Sequence, residues 1–221
     1  MSKEAPMTVS LPNESREYRA ARANLLAAET DLRAKAEEVA ALRRTLPRGG
    51  DVPEDYLFHD PAGQPALMSS LFGDQDTLAI YSLMYGPKAT APCPMCSAFL
   101  DGLSGQVKHL ARKTALAVVA QNSPQKLAEL SNRMGWSALP LYSAQGTSYQ
   151  RDYLAENESG DQLPILNIFQ RDEGGIRHFW SSELFFEPSP WHPRHIDPVW
   201  SLWNLLDLTP QGRGDFMPRV G

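Results

Sequence analysis

Two cysteines, the only ones in the chain, lie three positions apart at Cys93 and Cys96, with Pro and Met between them. An apolar run at 77–85 precedes the pair, and a helix-like segment begins at Pro94. A thiol in the first turn of a helix faces unpaired backbone N–H groups and the positive end of the helix dipole, and both favour the thiolate. In C-x-x-C motifs these effects lower the thiol pKa from about 8.5 into the range of roughly 3.5–7.5.

Cys96 falls one helical turn after Cys93, on the same side of the helix. A second thiol in that position can attack a mixed disulfide on the first thiol and close a small disulfide ring. We therefore predict that Cys93 is the exposed, attacking thiol and that Cys96 is the more buried, resolving thiol. Pro94 suits the first helical position, because a missing N–H costs no hydrogen bond there, and we count it among the substrate contacts.

Two other interpretations of the cysteine pair stay open. A zinc site would need two further ligands, and the one close histidine pair, His192 and His195, lies in a proline-rich stretch without helical spacing. We therefore predict no metal, and no sequence motif indicates a cofactor. The other alternative is a pair of inert, buried cysteines.

Pro164 opens the segment 164–170, whose apolar residues are typical of a core strand. A tight turn beside the thiols could present backbone groups to a peptide or thiol substrate, so we predict that Pro164 shapes the substrate-binding wall. A proline at the start of an edge strand is the plainer alternative. The sequence leaves the cis or trans state of this proline open.

The composition excludes several classes of protein. The 221 residues are 42% hydrophobic and 21% charged, which is ordinary for a globular protein, and two cysteines cannot make a disulfide-dense scaffold. A net charge of −5 gives no global attraction to nucleic acid or anionic lipid. No apolar run approaches the ~20 residues that span a bilayer, and the first residues lack the apolar region of a signal peptide. We therefore expect a cytoplasmic protein that binds neither nucleic acid nor membrane.

Residues 14–46 contain neither Pro nor Gly and are rich in the helix formers Ala, Leu, Glu and Arg. Apolar side chains recur every seven positions in this segment, at Tyr18, Leu25, Leu32, Val39 and Leu46. This spacing predicts a long helix with one narrow apolar stripe, which either packs on its own domain or pairs two copies as a dimerisation arm. Asn13 or Ser15 could cap it. We predict a flexible arm at 1–13 and the helix with its closing turn at 14–50.

The rest of the chain alternates strand and helix patterns, so we predict an α/β domain over 51–210 and a tail at 211–221. Predicted strands lie at 56–59, 77–85, 115–121, 138–142, 164–170 and 176–181, and predicted helices at 66–72, 94–110, 124–134 and 199–208. The connection between the second and third strands has the length of a βαβ crossover. The sheet should be mixed, with parallel strands inside and an antiparallel strand at its Ile176 edge.

A C-P-x-C motif at a helix start, a βαβ unit, a proline-led strand and a hairpin together resemble a thioredoxin-like domain. More closely, the chain resembles the DUF899 family of thioredoxin-like proteins over roughly residues 14–213. The matching segments are 42–47, 55–58, 71–73, 83–86, 93–97, 101–102, 133–136, 169–172 and 206–213. The resemblance implies a three-layer thioredoxin-like fold with a mixed central sheet, preceded by a long N-terminal helix, and dithiol–disulfide oxidoreductase activity.

The residues before Cys93 also resemble the P-x-x-x-T-x-x-C motif of peroxiredoxins, although Pro87 to Thr90 is one residue short and Gly86 stands at the motif's proline. Thr90 could hydrogen-bond a Cys93 thiolate. A peroxidase would also need an arginine near that thiolate. The candidates are Arg112, Arg133 and Arg171.

Three functions follow from these observations. The leading prediction is a dithiol–disulfide oxidoreductase that acts on a disulfide-containing protein or a small thiol substrate, with Cys93 and Cys96 catalytic and with Pro164, Thr90 and Pro94 at the substrate. The first alternative is a thiol peroxidase with Cys93 as the peroxidatic thiol. The second is a non-enzymatic thioredoxin-like adaptor. We also expect a homo-oligomer, formed through the N-terminal helix.

Overall fold

The computed structural model describes residues 10–188 and 194–220, and the chain divides into two compact units between Pro47 and Arg48. The first unit contains helix α1, Arg16–Arg44. The Ser15 hydroxyl oxygen caps this helix by accepting a hydrogen bond from the Tyr18 N–H at 3.0 Å. The structure therefore confirms the predicted long N-terminal helix to within two residues at each end.

None of the 29 residues of α1, all of which are described, is buried. In the predicted apolar stripe, the side chains of Leu25 and Leu32 are 46% and 71% exposed. Along the described parts of the chain, no helix combines the length and the apolar character that crossing a bilayer requires.

The second unit, from Arg48 onward, alternates short strands with helices. Its strands are β1 Leu57–His59, β2 Pro65–Leu67, β3 Thr77–Ser82, β4 Ala115–Ala120, β5 Leu141–Ser143, β6 Leu166–Asp172 and β7 Gly175–Ser181. Its helices are α2 Met68–Leu71, α3 Pro94–Ser104, α4 Val107–Leu110, α5 Pro124–Met134, α6 Tyr149–Asp152 and α7 Ser201–Leu206. Short 3-10 turns at Glu183–Phe186 and Asp197–Val199 lie between β7 and α7.

The strands form one mixed sheet in the order β2-β1-β5-β4-β3-β6-β7. Strand β4 is parallel to both β3 and β5, whereas β6 is antiparallel to β3 and β7 is antiparallel to β6. The antiparallel edge contains Ile176, as the sequence predicted. A parallel pair joined through a helix, followed by an antiparallel hairpin in the same sheet, is the thioredoxin-like arrangement, and the predicted fold class is confirmed.

Alternate residues of the central strands serve two hydrophobic layers, because successive side chains of a strand point to opposite faces. Leu78 and Ile80 of β3 pack in an aromatic layer that includes Tyr149 and Phe169. Tyr81 of the same strand packs in the other layer, against helices α3, α5 and α7. The second layer is the one that contains the cysteine pair.

Two elements differ from the predictions for a local reason. Residues 65–67 form β2, where the sequence predicted the start of a helix. The Asp60 carboxylate accepts hydrogen bonds from the N–H groups of Ala62 and Gln64, both at 2.9 Å, and this turn folds the chain back antiparallel to β1. The predicted helix at 94–110 is interrupted at Gly105, because a glycine stabilises helical backbone poorly.

Candidate active site

Cys93 stands at the junction between the loop that leaves β3 and the first turn of α3. Its N–H donates to the Met84 carbonyl at 3.0 Å, and its carbonyl accepts the N–H of Ser97, also at 3.0 Å. Cys93 is the N-cap residue of α3, and Pro94 occupies the first helical position. Pro94 itself is exposed to solvent. These backbone hydrogen bonds therefore hold Cys93 at the N-terminus of α3.

The pKa of the Cys93 thiol is lowered in this setting. Hydrogen bonding from the Cys96 thiol, together with the backbone N–H groups of Cys96 and Met95, lowers the pKa of Cys93 to about 6, against the opposing effect of partial burial. The two backbone donors are those that the start of a helix leaves without partners. At neutral pH Cys93 is therefore mostly a thiolate, the form that attacks disulfides.

Cys96 has the opposite character, although it lies in the same helical turn. Its residue is only 2% exposed. Hydrogen bonding to Cys93 and burial raise the pKa of Cys96 well above its usual range, while a hydrogen bond from the Tyr81 hydroxyl partly offsets this rise. Both thiols are free. The pair thus holds one proton on the buried sulfur and leaves the other sulfur ionised.

A cavity of about 260 Å³ opens beside the two thiols. Its walls include Tyr81 from β3, Pro164 before β6, and Trp200 and Met217 from the C-terminal part of the chain. Nearly all of the lining surface is apolar. The sequence placed Pro164 beside the thiols, and the structure brings it into this wall. Thr90 and Pro94, which we also predicted at the substrate, do not line the cavity.

The Pro164 carbonyl accepts a hydrogen bond from Nε2 of His195 at 2.7 Å. Because a carbonyl can only accept, this contact fixes the proton of the imidazole on Nε2. His195 is 8% exposed and also lines the cavity. The peptide bond before Pro164 is trans, since the described residues contain no cis peptide bond. No sequence signal connected His195 with Pro164.

The residues of the predicted peroxidase arrangement do not line the cavity beside the thiolate. Thr90 is exposed, and within the described chain its hydroxyl makes no hydrogen bond. The guanidinium of Arg171 donates to backbone carbonyls, including Gly73 at 2.9 Å, and lies over the Phe72 ring. No arginine among the residues described lines the cavity, so neither Arg112 nor Arg133 takes the expected place.

Nothing in the described parts of the chain resembles a metal centre: no group of three His, Cys, Asp or Glu side chains could hold an ion. His192, half of the histidine pair that we considered as zinc ligands, lies outside the described residues. His195, the other half, lies beside the thiols as a hydrogen-bond donor to Pro164.

An ion-pair network fastens the C-terminal wall of the cavity. The Arg213 guanidinium contacts the carboxylates of Asp197 and Asp207, both at 2.8 Å, and lies 5.3 Å above the ring of Trp203. Arg194 joins the same two carboxylates from the surface. The sequence did not predict this network, and it placed Arg213 in a tail. The structure instead packs residues 211–217 on the domain.

Comparison with known families agrees with the resemblance seen in the sequence. The family model described as "Bacterial protein of unknown function (DUF899)" matches residues 7–219. The chain belongs to the DUF899 family. No curated protein matches the sequence.

Several solved structures are similar to this DUF899 protein. Peroxidoxin BcpB from Mycobacterium tuberculosis is 18% identical, with a TM-score of 0.49 over 71% of this chain and 96% of that chain. A peroxiredoxin-like protein from Aquifex aeolicus is 15% identical, with a TM-score of 0.49 over 72% and 88%. Peroxiredoxin Q from Xanthomonas campestris is 14% identical, with a TM-score of 0.48 over 72% and 94%.

Proposed function

We propose that this DUF899 protein is a thiol–disulfide oxidoreductase in which Cys93 attacks and Cys96 resolves. The observation that supports it is the split in acidity within one helical turn, with the pKa of Cys93 at about 6 and that of Cys96 raised well above its usual range. A half-exposed thiolate beside a buried, protonated thiol has the two properties that stepwise disulfide exchange needs.

The Cys93 thiolate attacks one sulfur of a substrate disulfide, forms a mixed disulfide and releases the other substrate sulfur as a thiolate. Cys96 then loses its proton to solvent or to the departing thiolate and attacks the Cys93 sulfur. This second step forms the Cys93–Cys96 disulfide and releases the second substrate thiolate. Two electrons pass from the protein to the substrate, and a dithiol reductant must restore the reduced protein. Pro164, at the cavity wall, provides the surface against which the substrate lies.

Disulfide exchange fits the site better than peroxide reduction. A peroxidatic thiolate uses hydrogen-bond donors and a positive charge to stabilise the departing hydroxide. The Thr90 hydroxyl and the three candidate arginines do not line the cavity, as described above. A chain whose only two cysteines form a C-x-x-C pair suits a reducing compartment, and on that ground we propose that the protein is cytoplasmic.

Dithiothreitol-coupled reduction of insulin or of a model disulfide tests the proposal. Cys93→Ser should reduce the rate to that of dithiothreitol alone, whereas Cys96→Ser should still form the first mixed disulfide and accumulate it, detectable by mass spectrometry. The double variant is the matched control for folding, assessed by circular dichroism. Equal activity in Cys93→Ser and the unaltered protein would rule out this mechanism.

We propose, in addition, that α1 pairs with α1 of a second copy. The support is the heptad spacing of apolar residues and their exposure, with Leu32 at 71% and Leu42 at 58%. A helix of this length presents an apolar seam of about 40 Å to a partner, from the rise of ~1.5 Å per residue. A second copy offers the complementary stripe in the same register.

Light scattering tests the pairing. The unaltered protein should show about twice the 24.5 kDa mass of one chain. Leu25→Lys combined with Leu32→Lys should give the single-chain mass, because charge in the seam opposes pairing. Thr30→Lys, on the exposed polar side of α1, is the control and should leave the mass doubled. A single-chain mass for the unaltered protein at all concentrations would exclude the pairing.

A further inference from the structure

Apart from the Cys93 thiolate itself, the described walls of the cavity carry no charged side chain. Among the described residues, no Lys, Arg, Asp or Glu side chain lines it. Its polar side-chain atoms belong to the two thiols, the Tyr81 hydroxyl, the imidazole of His195 and the indole N–H of Trp200. The Nε2 proton of that imidazole is already donated to the Pro164 carbonyl. The other lining side chains are aliphatic, aromatic or thioether groups, such as Ile196.

The volume of the cavity sets an upper limit on what can enter it. An apolar protein cavity of about 150 Å³ is large enough to hold benzene. The cavity beside Cys93, at about 260 Å³, therefore accepts an aromatic ring or a branched alkyl group of similar size. A protein substrate could place no more than about one large side chain in it.

The surroundings of the thiolate discriminate between substituents on an approaching disulfide. An apolar substituent leaves water for a wall that makes favourable contacts with it. A carboxylate substituent loses its hydration without gaining a cationic partner among the described lining residues, and it also meets the negative charge of Cys93. Both effects favour neutral, apolar substituents, and both act at the sulfur that Cys93 attacks.

We propose that the substrate of Cys93 is a small organic disulfide with a neutral, apolar, ring-sized substituent. This inference rests on the proposed oxidoreductase function. Cys93 displaces one substituent as its thiolate and keeps the other in a mixed disulfide, and Cys96 displaces that second thiolate. The substrate disulfide is reduced to two thiols, the protein dithiol is oxidised to a disulfide, and an external dithiol supplies the electrons for the next turnover.

Single-turnover kinetics with two aromatic disulfides test the substrate class. The reduced protein is mixed with neutral 4,4′-dithiodipyridine and with the dianionic 5,5′-dithiobis(2-nitrobenzoate), both of which release coloured thiols. Each rate is divided by that of 2-mercaptoethanol thiolate with the same disulfide, which removes the intrinsic reactivity of the reagents. We expect this acceleration factor to be at least about tenfold larger for the neutral disulfide.

A positive charge at the cavity rim should reduce the preference for the neutral over the dianionic disulfide. Met217 lines the cavity and is 55% exposed, so Met217→Lys places a cation at the rim without burying it. This variant should raise the factor for the dianionic reagent severalfold relative to that for the neutral reagent. Leu208→Lys adds the same charge to a side chain that is 78% exposed and does not line the cavity, and it should have no effect on either factor.

The outcomes separate this inference from the function on which it rests. Equal factors for the two aromatic disulfides would overturn the substrate class and leave the oxidoreductase function standing. No acceleration above the reference thiol with either reagent or with insulin would overturn both. Insulin serves as a third substrate, and an acceleration as large as that of the neutral small disulfide would assign the site to protein disulfides instead.

Discussion

The first turn of α3 and the C-terminal segment 194–217 both border the thiolate cavity, but different forces hold them in place. The α3 turn owes its properties to neighbours in sequence, since the Cys96 thiol and two adjacent N–H groups lower the pKa of Cys93. The C-terminal segment is held by side chains far apart in sequence, above all by Arg213 with Asp197 and Asp207. The comparison indicates that the low pKa of Cys93 depends on residues close to it in sequence. The shape of the cavity depends on contacts between residues that are far apart in sequence.

If this division is correct, each region can be altered with little effect on the property that the other provides. Changes in the C-terminal network should alter the stability and the fit of the cavity while the pKa of Cys93 stays near 6. Changes in the cysteine turn should alter that pKa and leave the stability of the domain nearly unchanged.

Arg213→Met should give the largest effect. The Arg213 side chain is only 10% exposed, and its removal leaves the Asp197 carboxylate, 15% exposed, without its buried partner. Leaving a buried charge unpaired costs about 3 kcal/mol or more, but Asp197 keeps its exposed partner Arg194, so we expect a loss of about 2 kcal/mol. The contact with the Trp203 ring is lost as well. We expect the free energy of unfolding, measured by urea titration, to fall by that amount.

Arg194→Met is the matched control, because Arg194 contacts the same two carboxylates but is 46% exposed. Exposed pairs contribute less than about 1 kcal/mol. Arg213 lowers the pKa of Asp207, so the stabilisation from this pair is present above the ordinary carboxyl pKa and is lost as the pH falls through the lowered one. Equal losses of stability in the two variants would show that the network does not fasten the wall.

Cys96→Ala should give the next largest effect, on the acidity of Cys93. The Cys96 thiol is the main cause of the low pKa, and alanine removes it while the backbone N–H groups remain. In the unaltered protein the rate of alkylation by iodoacetamide should be half-maximal near pH 6, because the pKa of Cys93 is about 6. In the variant we expect the midpoint to move upward by at least about one unit, toward the ordinary value of about 8.5.

In Cys96→Ser a hydroxyl replaces the thiol as hydrogen-bond donor to Cys93. Its alkylation midpoint should lie between those of the unaltered protein and Cys96→Ala. The urea midpoint of both variants should lie close to that of the unaltered protein, because the substitution creates little empty volume. An unchanged alkylation midpoint in Cys96→Ala would mean that the backbone N–H groups at the start of α3 alone lower the pKa of Cys93. Cys96 would then have no part in the attack of Cys93 on the substrate.

The same division accounts for what the sequence could predict. The boundaries of α5 were predictable because Ser123 caps its start and Gly135 adopts a left-handed φ of 69° at its end, and both signals lie in the segment itself. The roles of Cys93 and Cys96 followed likewise from spacing and a helix start. These properties depend on residues within one or two turns of each other.

The cavity wall could not be predicted, because its contacts join distant residues. His195 lies 31 positions from Pro164, and in the sequence it suggested only a weak zinc site. The Asp101 carboxylate accepts the indole N–H of Trp136, 35 positions away, at 2.7 Å. Only the folded chain brings such partners together, and no short-range pattern marks them.

Tyr81→Phe should give the smallest effect. It tests a residue that lies outside both regions but contacts Cys96 and the cavity. Tyr81 comes from β3, lines the cavity and hydrogen-bonds to Cys96, which opposes the raised pKa of that thiol. Loss of one hydrogen bond of about 1 kcal/mol corresponds to a rate about fivefold slower, and we expect it in the second step, where Cys96 attacks. Stopped-flow absorbance with a chromogenic disulfide resolves the two thiolate releases.

Tyr85→Phe, in the same core but outside the cavity lining, is the control and should leave both steps unchanged. If Tyr81→Phe slows the first release as much as the second, the phenol acts on the shape of the cavity and not on Cys96.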